Sequence, residues 1–216
     1  MAIAQDTAAR PGRATSLWGG GVHPYGISHK KMGMWLFIIS DSLTFSALLF
    51  GYAYLRHASA TWPSPFHVWP SVAVSTLMTF CLLTSSLTMV LAVHHAKAGD
   101  SSKVVKWLVA TMAAGSAFIL LHLNEWRELI NEGMRPRHNP WGDAMFGGTF
   151  FTITGMHMLH VLSGIIYLGV IASRIARNRT DAEGVEVSGL YWHFVDLVWM
   201  FVFPLVYLMS VSRGGH

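Results

Sequence analysis

Three pairs of polar side chains recur at a spacing of three residues: His122 and Glu125, His157 and His160, His193 and Asp196. On a helix, residues three apart share a face. An imidazole beside a carboxyl can hold or pass a proton. Two imidazoles on one face can ligate one metal, or each can bond to a neighbouring helix. A His-x-x-His alone is a weak metal signal, and both uses stay open for His157 and His160. Asp196 either orients His193 or pairs with another helix. Asp41 stands among Ser40, Ser42 and Thr44. It is either a proton-carrying carboxyl or a hydrogen-bonded joint between helices. His94 and His95 form an adjacent pair for which an interfacial, snorkelling position is expected.

The setting of these groups gives them weight. Five apolar stretches, about 32–55, 70–93, 104–124, 145–171 and 190–210, are each long enough for a ~30 Å hydrocarbon core, which needs about 20 helical residues. Lipid offers no partners for backbone polar groups, so each stretch is expected to be a helix. The predicted fold class is all-α, a polytopic membrane bundle of five transmembrane helices. Asp41 then lies about nine residues into the first span, roughly 14 Å deep at ~1.5 Å per residue. A carboxyl at that depth is costly and marks a functional or joining role. His122 and Glu125 fall at the end of the third span, where a polar interfacial end is favoured. Trp192 and Trp199 belong near an interface or between helices. Pro204 is expected to kink the last span or face a partner. Gly147, Gly148, Gly155, Ser163 and Gly164 let the fourth span approach others closely.

Composition agrees. Half of the 216 residues are apolar and only 12% are charged, about half the charged share of a soluble domain. Lys and Arg cluster between the apolar stretches, so the net charge of +4 reflects membrane flanks and not a nucleic-acid surface. Ten of them fall on the side of the N-terminus and of the second and fourth connections, against five on the other. The positive-inside rule then puts the N-terminus in the cytoplasm and the C-terminus outside. Residues 1–31 have no signal-peptide core and are expected to form a mobile arm, with 32–216 a single five-helix domain. The lone Cys81 excludes an internal disulfide.

Four motifs in order resemble one family, subunit III of the haem–copper terminal oxidases. The most specific is GLYWHFVDLVW, Gly189 to Trp199, which is similar to the family's final-helix signature. The run from Gly148 to Val161, GTFFTITGMHMLHV, resembles its Thr-Gly-x-His-Gly-x-His-Val helix, with Met158 in place of the usual Gly. Leu36 to Asp41 resembles the segment bearing an intramembrane carboxylate. His94-His95 followed by Gly99-Asp100 resembles a turn of the cytochrome c oxidase members, which favours that type over the quinol type. Asp at 41, where cytochrome c oxidase members commonly have Glu, and His at 122, where Gln is common, are departures. The five spans match the family's shorter form and not its seven-helix form.

The resemblance implies an accessory, non-catalytic subunit of an oxygen-reducing, proton-pumping complex in the bacterial cytoplasmic membrane. The haems and copper are then expected in the partner subunits I and II, with no cofactor or metal in this chain. It further implies bound phospholipid in a helix cleft, support of proton uptake through Asp41, stabilisation of subunit I, protection against turnover-linked inactivation and room for a larger respiratory supercomplex. On that view His94, His95, His122, Glu125, His157, His160, Trp192, His193 and Asp196 line the cleft or join helices. The alternatives are an accessory subunit of a nitric oxide reductase type complex and a membrane haem or di-iron enzyme.

Overall fold

The structure is a computed structural model that describes residues 28–177 and 182–211, except the side chains of Val68 and Pro70. Residues 1–27 of the expected arm lie outside the described residues. Five helices, α1 (His29–Ala58), α2 (Ala73–Lys97), α3 (Ser101–Asn131), α4 (Ala144–Ala176) and α5 (Ala182–Val202), run up and down in turn. Past α5 the chain continues as a widened turn, Phe203–Tyr207, and a tight one, Leu208–Ser210. All five are long and apolar enough to cross a membrane. The widening falls at Pro204, whose missing N–H breaks the regular ladder.

Helix starts are written locally. The Ser28 hydroxyl accepts from the Lys31 amide, Asp100 from Lys103 and Asp143 from Met145, each satisfying one of the orphan donors of a first turn. Both aspartates lie outside the spans. The Lys103 side chain and amide hold the Asp100 carboxyl below the usual aspartate range. The Met145 amide and the Ser59 side chain do the same for Asp143. Gly99, at φ +77°, makes the sharp turn between α2 and α3, which fixes them as antiparallel neighbours.

The helices extend beyond the expected spans. α3 is the clearest case. It runs past Glu125 to Asn131, through residues that the charge pattern assigned to a connection. The reason is a buried seam alternating by three and four: Leu108, Thr111, Gly115, Phe118, His122, Glu125 and Leu129. α2 carries the matching seam of Ser75, Met78, Leu82, Ser85, Met89, Ala92 and Ala96. Two such seams pack as an antiparallel coil. α4 lies against α3, and α5 fills the space between α2 and α4. α1 packs mainly on α5 and α4 and leaves most of its surface outward.

Lipid tails give helices little hydrophobic reason to associate, so close packing and interhelical hydrogen bonds must do it, at on the order of 0.5–2 kcal/mol per bond. The bundle has a set of them. Thr88 and Thr111 hydroxyls meet at 2.7 Å across α2 and α3. Trp192 donates to Ser85 at 2.9 Å and Trp199 to Thr79 at 3.0 Å, tying α5 to α2. Trp126 donates to Thr154 at 3.2 Å, tying α3 to α4. Trp192 and Trp199 therefore sit between helices, fully buried.

Candidate functional site

The intramembrane polar groups form two clusters and some isolated positions. The first cluster joins α1, α4 and α5. Asp41 is buried on α1, and its Oδ2 lies 3.2 Å from Nε2 of His160 on α4. The other ring nitrogen of His160 is 2.8 Å from the Met156 carbonyl, within hydrogen-bond reach one turn back. The Tyr191 hydroxyl of α5 donates to the His160 carbonyl and meets Ser163 at 2.6 Å. Phe45 of α1 closes the imidazole edge-on at 5.1 Å. The hydroxyls flanking Asp41 bond the backbone of their own helix, Ser40 to Phe37, Ser42 to Ile38 and Thr44 to Ser40. What faces the carboxyl is the imidazole, which spacing along α1 could not reveal.

The second cluster joins α2, α3 and the widened turn after α5. Glu125 accepts from Ser75 at 3.1 Å on one oxygen and from Tyr207 at 2.7 Å on the other. Nδ1 of His122 is 3.4 Å from the second oxygen. Both residues are buried, His122 completely, so the polar interfacial end expected for them is replaced by a packed joint. The polar side chains that point inward do so because the three-four seam continues through them.

His157 and His160 point to different surroundings. His157 is fully buried, stacked on Trp199 at 5.1 Å and edge-on to Phe118 at 5.5 Å. His160 faces Asp41. His193 is 2.8 Å from the Ser86 hydroxyl through Nδ1, so α2 and not Asp196 orients its ring. Asp196 is buried with neither carboxyl oxygen hydrogen-bonded among the described residues. His94 and His95 lie in the last turns of α2, edge to face at 5.4 Å, with His94 exposed. At that same end Lys31 pairs with Glu186 at 2.9 Å, fastening the start of α1 to α5.

Ser75, Tyr207 and Ser86 were not singled out in the sequence. Ser75 falls in the α2 seam, a signal available from spacing. Tyr207 sits three residues past Pro204, where the widened turn changes its direction.

Loose packing of α1 leaves a groove against α5. One stretch, about 400 Å3, is walled by Ser42, Phe45, Leu49, Phe194, Val198 and Phe201. A second of about 400 Å3 continues from it through the shared Leu49, Ala53 and Leu205 to Arg56, His57 and Met209. Arg56 donates to the Met209 carbonyl at 2.6 Å, while its other terminal nitrogen is buried with no hydrogen-bond partner among the described residues. The groove thus begins one turn from Asp41, runs along apolar walls and ends at a guanidinium.

Five apolar spans tied helix to helix by buried hydroxyl, imidazole and carboxyl groups define a polytopic α-helical membrane protein. Residues 19–211 match the family described as Cytochrome c oxidase subunit III. The chain is 33% identical over 186 residues to cytochrome c oxidase subunit 3 of Bacillus sp. strain PS3, covering 85% of this chain and 87% of that one. It is 37% identical over 183 residues to cytochrome bo(3) ubiquinol oxidase subunit 3 of Pseudomonas aeruginosa, covering 82% and 84%. Quinol oxidase subunit 3 of Bacillus subtilis is 32% identical, over 84% of this chain and 87% of that one. The chain belongs to the cytochrome c oxidase subunit III family, and these relatives are subunits of cytochrome c oxidases and of quinol oxidases alike.

Proposed function

We propose that this chain is the accessory subunit III of a terminal oxidase that reduces oxygen to water and pumps protons across the bacterial cytoplasmic membrane. It braces catalytic subunit I beside subunit II, holds phospholipid and helps protons reach subunit I. The observation that carries this reading is the α1–α5 groove, with a carboxyl–imidazole pair next to one end and an under-satisfied guanidinium at the other. An acyl chain suits the apolar walls, and a phosphate suits Arg56, which can offer planar, charge-assisted hydrogen bonds. Asp41, twelve residues past His29 and so about 18 Å along α1, sits where a carboxyl attracts protons within the membrane.

In this reading the haems and copper belong to the partner subunits. This chain's residues contribute binding and proton handling: Asp41 takes or releases a proton, His160 steadies the carboxyl, and Tyr191 holds the His160 segment. The orientation follows the charge bias, with Lys31 and Lys97 on the cytoplasmic side. Subunit I docking and any supercomplex are then membrane-plane contacts of the outward helix faces.

The test is made on the purified complex. Asp41→Asn is expected to assemble but to slow proton uptake, most at high pH where free protons are scarce. Arg56→Gln is expected to lower the retained phospholipid measured by lipid mass spectrometry. Unchanged uptake across the pH range removes the proton role, and unchanged lipid content removes the groove as its holder. Native mass spectrometry that finds the chain without other oxidase subunits overturns the assignment itself.

A further inference from the structure

The second cluster has a use that neither the groove nor Asp41 supplies. A cavity of about 440 Å3 opens at the Ala58 end of the bundle, between the linker after α1, the start of α2 and the last turns of α3. Its polar lining is Glu125, Glu128, Glu132, His67 and Ser71. The three glutamates lie three and four apart, on one face of α3. The space is many times the ~10–15 Å3 that one water requires, and each water there would find polar partners. At its base stands Glu125, 6% exposed. Its two oxygens are held by the hydroxyls of Ser75 and Tyr207, with the His122 imidazole alongside. Neither ring nitrogen of His122 has a geometrically satisfied hydrogen bond among the described residues, and the same holds for His157 behind it.

We propose that this well is a port for proton exchange: water in it carries protons between the Glu125 carboxyl and the aqueous phase at the end of the bundle opposite Lys31. Hydronium in the well gives its proton to the carboxylate, an O–H bond forms on Glu125, and water remains; the reverse step returns the proton. The groups that face Glu125 decide its behaviour together. They are His122 and Glu128 on α3 and Tyr207 after α5, while His67 on the linker and Glu132 line the same well and are exposed. From α2 only the Ser75 hydroxyl reaches it, and His157 of α4 stands behind His122. The arrangement joins a buried ionisable residue to bulk water, which is how proton routes through membranes begin. The inference stands independently of the lipid groove.

A water-soluble carbodiimide adds to a protonated carboxyl and rearranges to a stable N-acylurea, which peptide mass spectrometry assigns to a residue. The reagent is applied to membranes containing the assembled protein. Glu125 is expected to be labelled. Above its midpoint, labelling should fall about tenfold for each pH unit. Filling the well with Ser71→Leu, or with Val74→Phe if the first variant fails to assemble, should reduce labelling of Glu125 more than labelling of Glu128. Modification of Glu128 and Glu132 with Glu125 untouched at every pH overturns the proposal. Labelling of Glu125 that ignores pH, or that is unaffected by the filled well, overturns it as well.

Discussion

Gly115 and Gly164 flank the indole of Trp192 from two helices. A Cβ placed on Gly115 would stand 2.6 Å from one ring carbon of Trp192 and 3.0 Å from the next. A Cβ on Gly164 would stand 3.0 Å from two others. Ordinary contact begins near 3.4 Å, so Gly115→Ala creates an overlap of about 0.8 Å, the difference of the two distances. The indole cannot swing away, because Nε1 is bonded to Ser85 and its far edge faces Gly164. Overpacking of this kind costs about 1–3 kcal/mol. The gain in helix propensity from Gly to Ala is about 1 kcal/mol. The steric cost offsets the propensity gain or exceeds it, and Gly115→Ala should destabilise the bundle by up to about 2 kcal/mol. Gly51 is the internal control. It lies mid-helix on α1 with nothing within 4 Å of an added Cβ, so Gly51→Ala should stabilise by about 0.5–1 kcal/mol. The assay is unfolding of the detergent-purified protein, followed by intrinsic fluorescence. Trp192→Phe should relieve the Gly115→Ala loss in a double-mutant cycle, with a coupling on the order of 1 kcal/mol. If Gly115→Ala proves as stable as Gly51→Ala, the close helix approach is refuted.

Two further outcomes are expected. Tyr207→Phe removes the donor to a buried Glu125 oxygen and should cost about 1–3 kcal/mol of stability, with Ser75→Ala costing less if Tyr207 is the stronger partner; equal stability of wild type and Tyr207→Phe would contradict the bond. Asp143 caps α4 as a carboxylate held below the usual aspartate range. A carboxyl lowered by folding contributes above its unfolded value and loses that contribution as pH falls through the folded one. Hydrogen exchange at the Met145 amide should therefore quicken in acid, below the ordinary aspartate range. Asp143→Asn keeps an acceptor and should flatten that dependence.

Much of the fold was legible because the bilayer imposes it. A length of apolar chain and the need to pair backbone groups internally leave little choice but helices, and the short connections set their alternation. The helix ends were less legible, because charge was taken to mark the water. Glu125 and Glu128 lie in α3 because the packing seam, not hydropathy, continues through Glu125 to Leu129 and carries the exposed Glu128 with it. The family was legible from four motifs in order. The partners were not: the facing of Asp41 by His160, of His193 by Ser86 and of Glu125 by Tyr207 joins residues far apart in sequence. A spacing of three tells which residues share a face, and says nothing of the helix across from it.

The position of α5 bears on how the chain is made. It supplies the tryptophans that bond Ser85 and Thr79, the ring that fits Gly115 and Gly164, and the residues leading to Tyr207. It also leaves the ribosome after the other four. Until it and the turn after it insert, Glu125, Ser85, Ser86, Ser163 and Thr79 lack partners that they have in the finished bundle. A chain that lacks α5 would therefore present these polar groups with fewer partners inside the bilayer, where water cannot replace them.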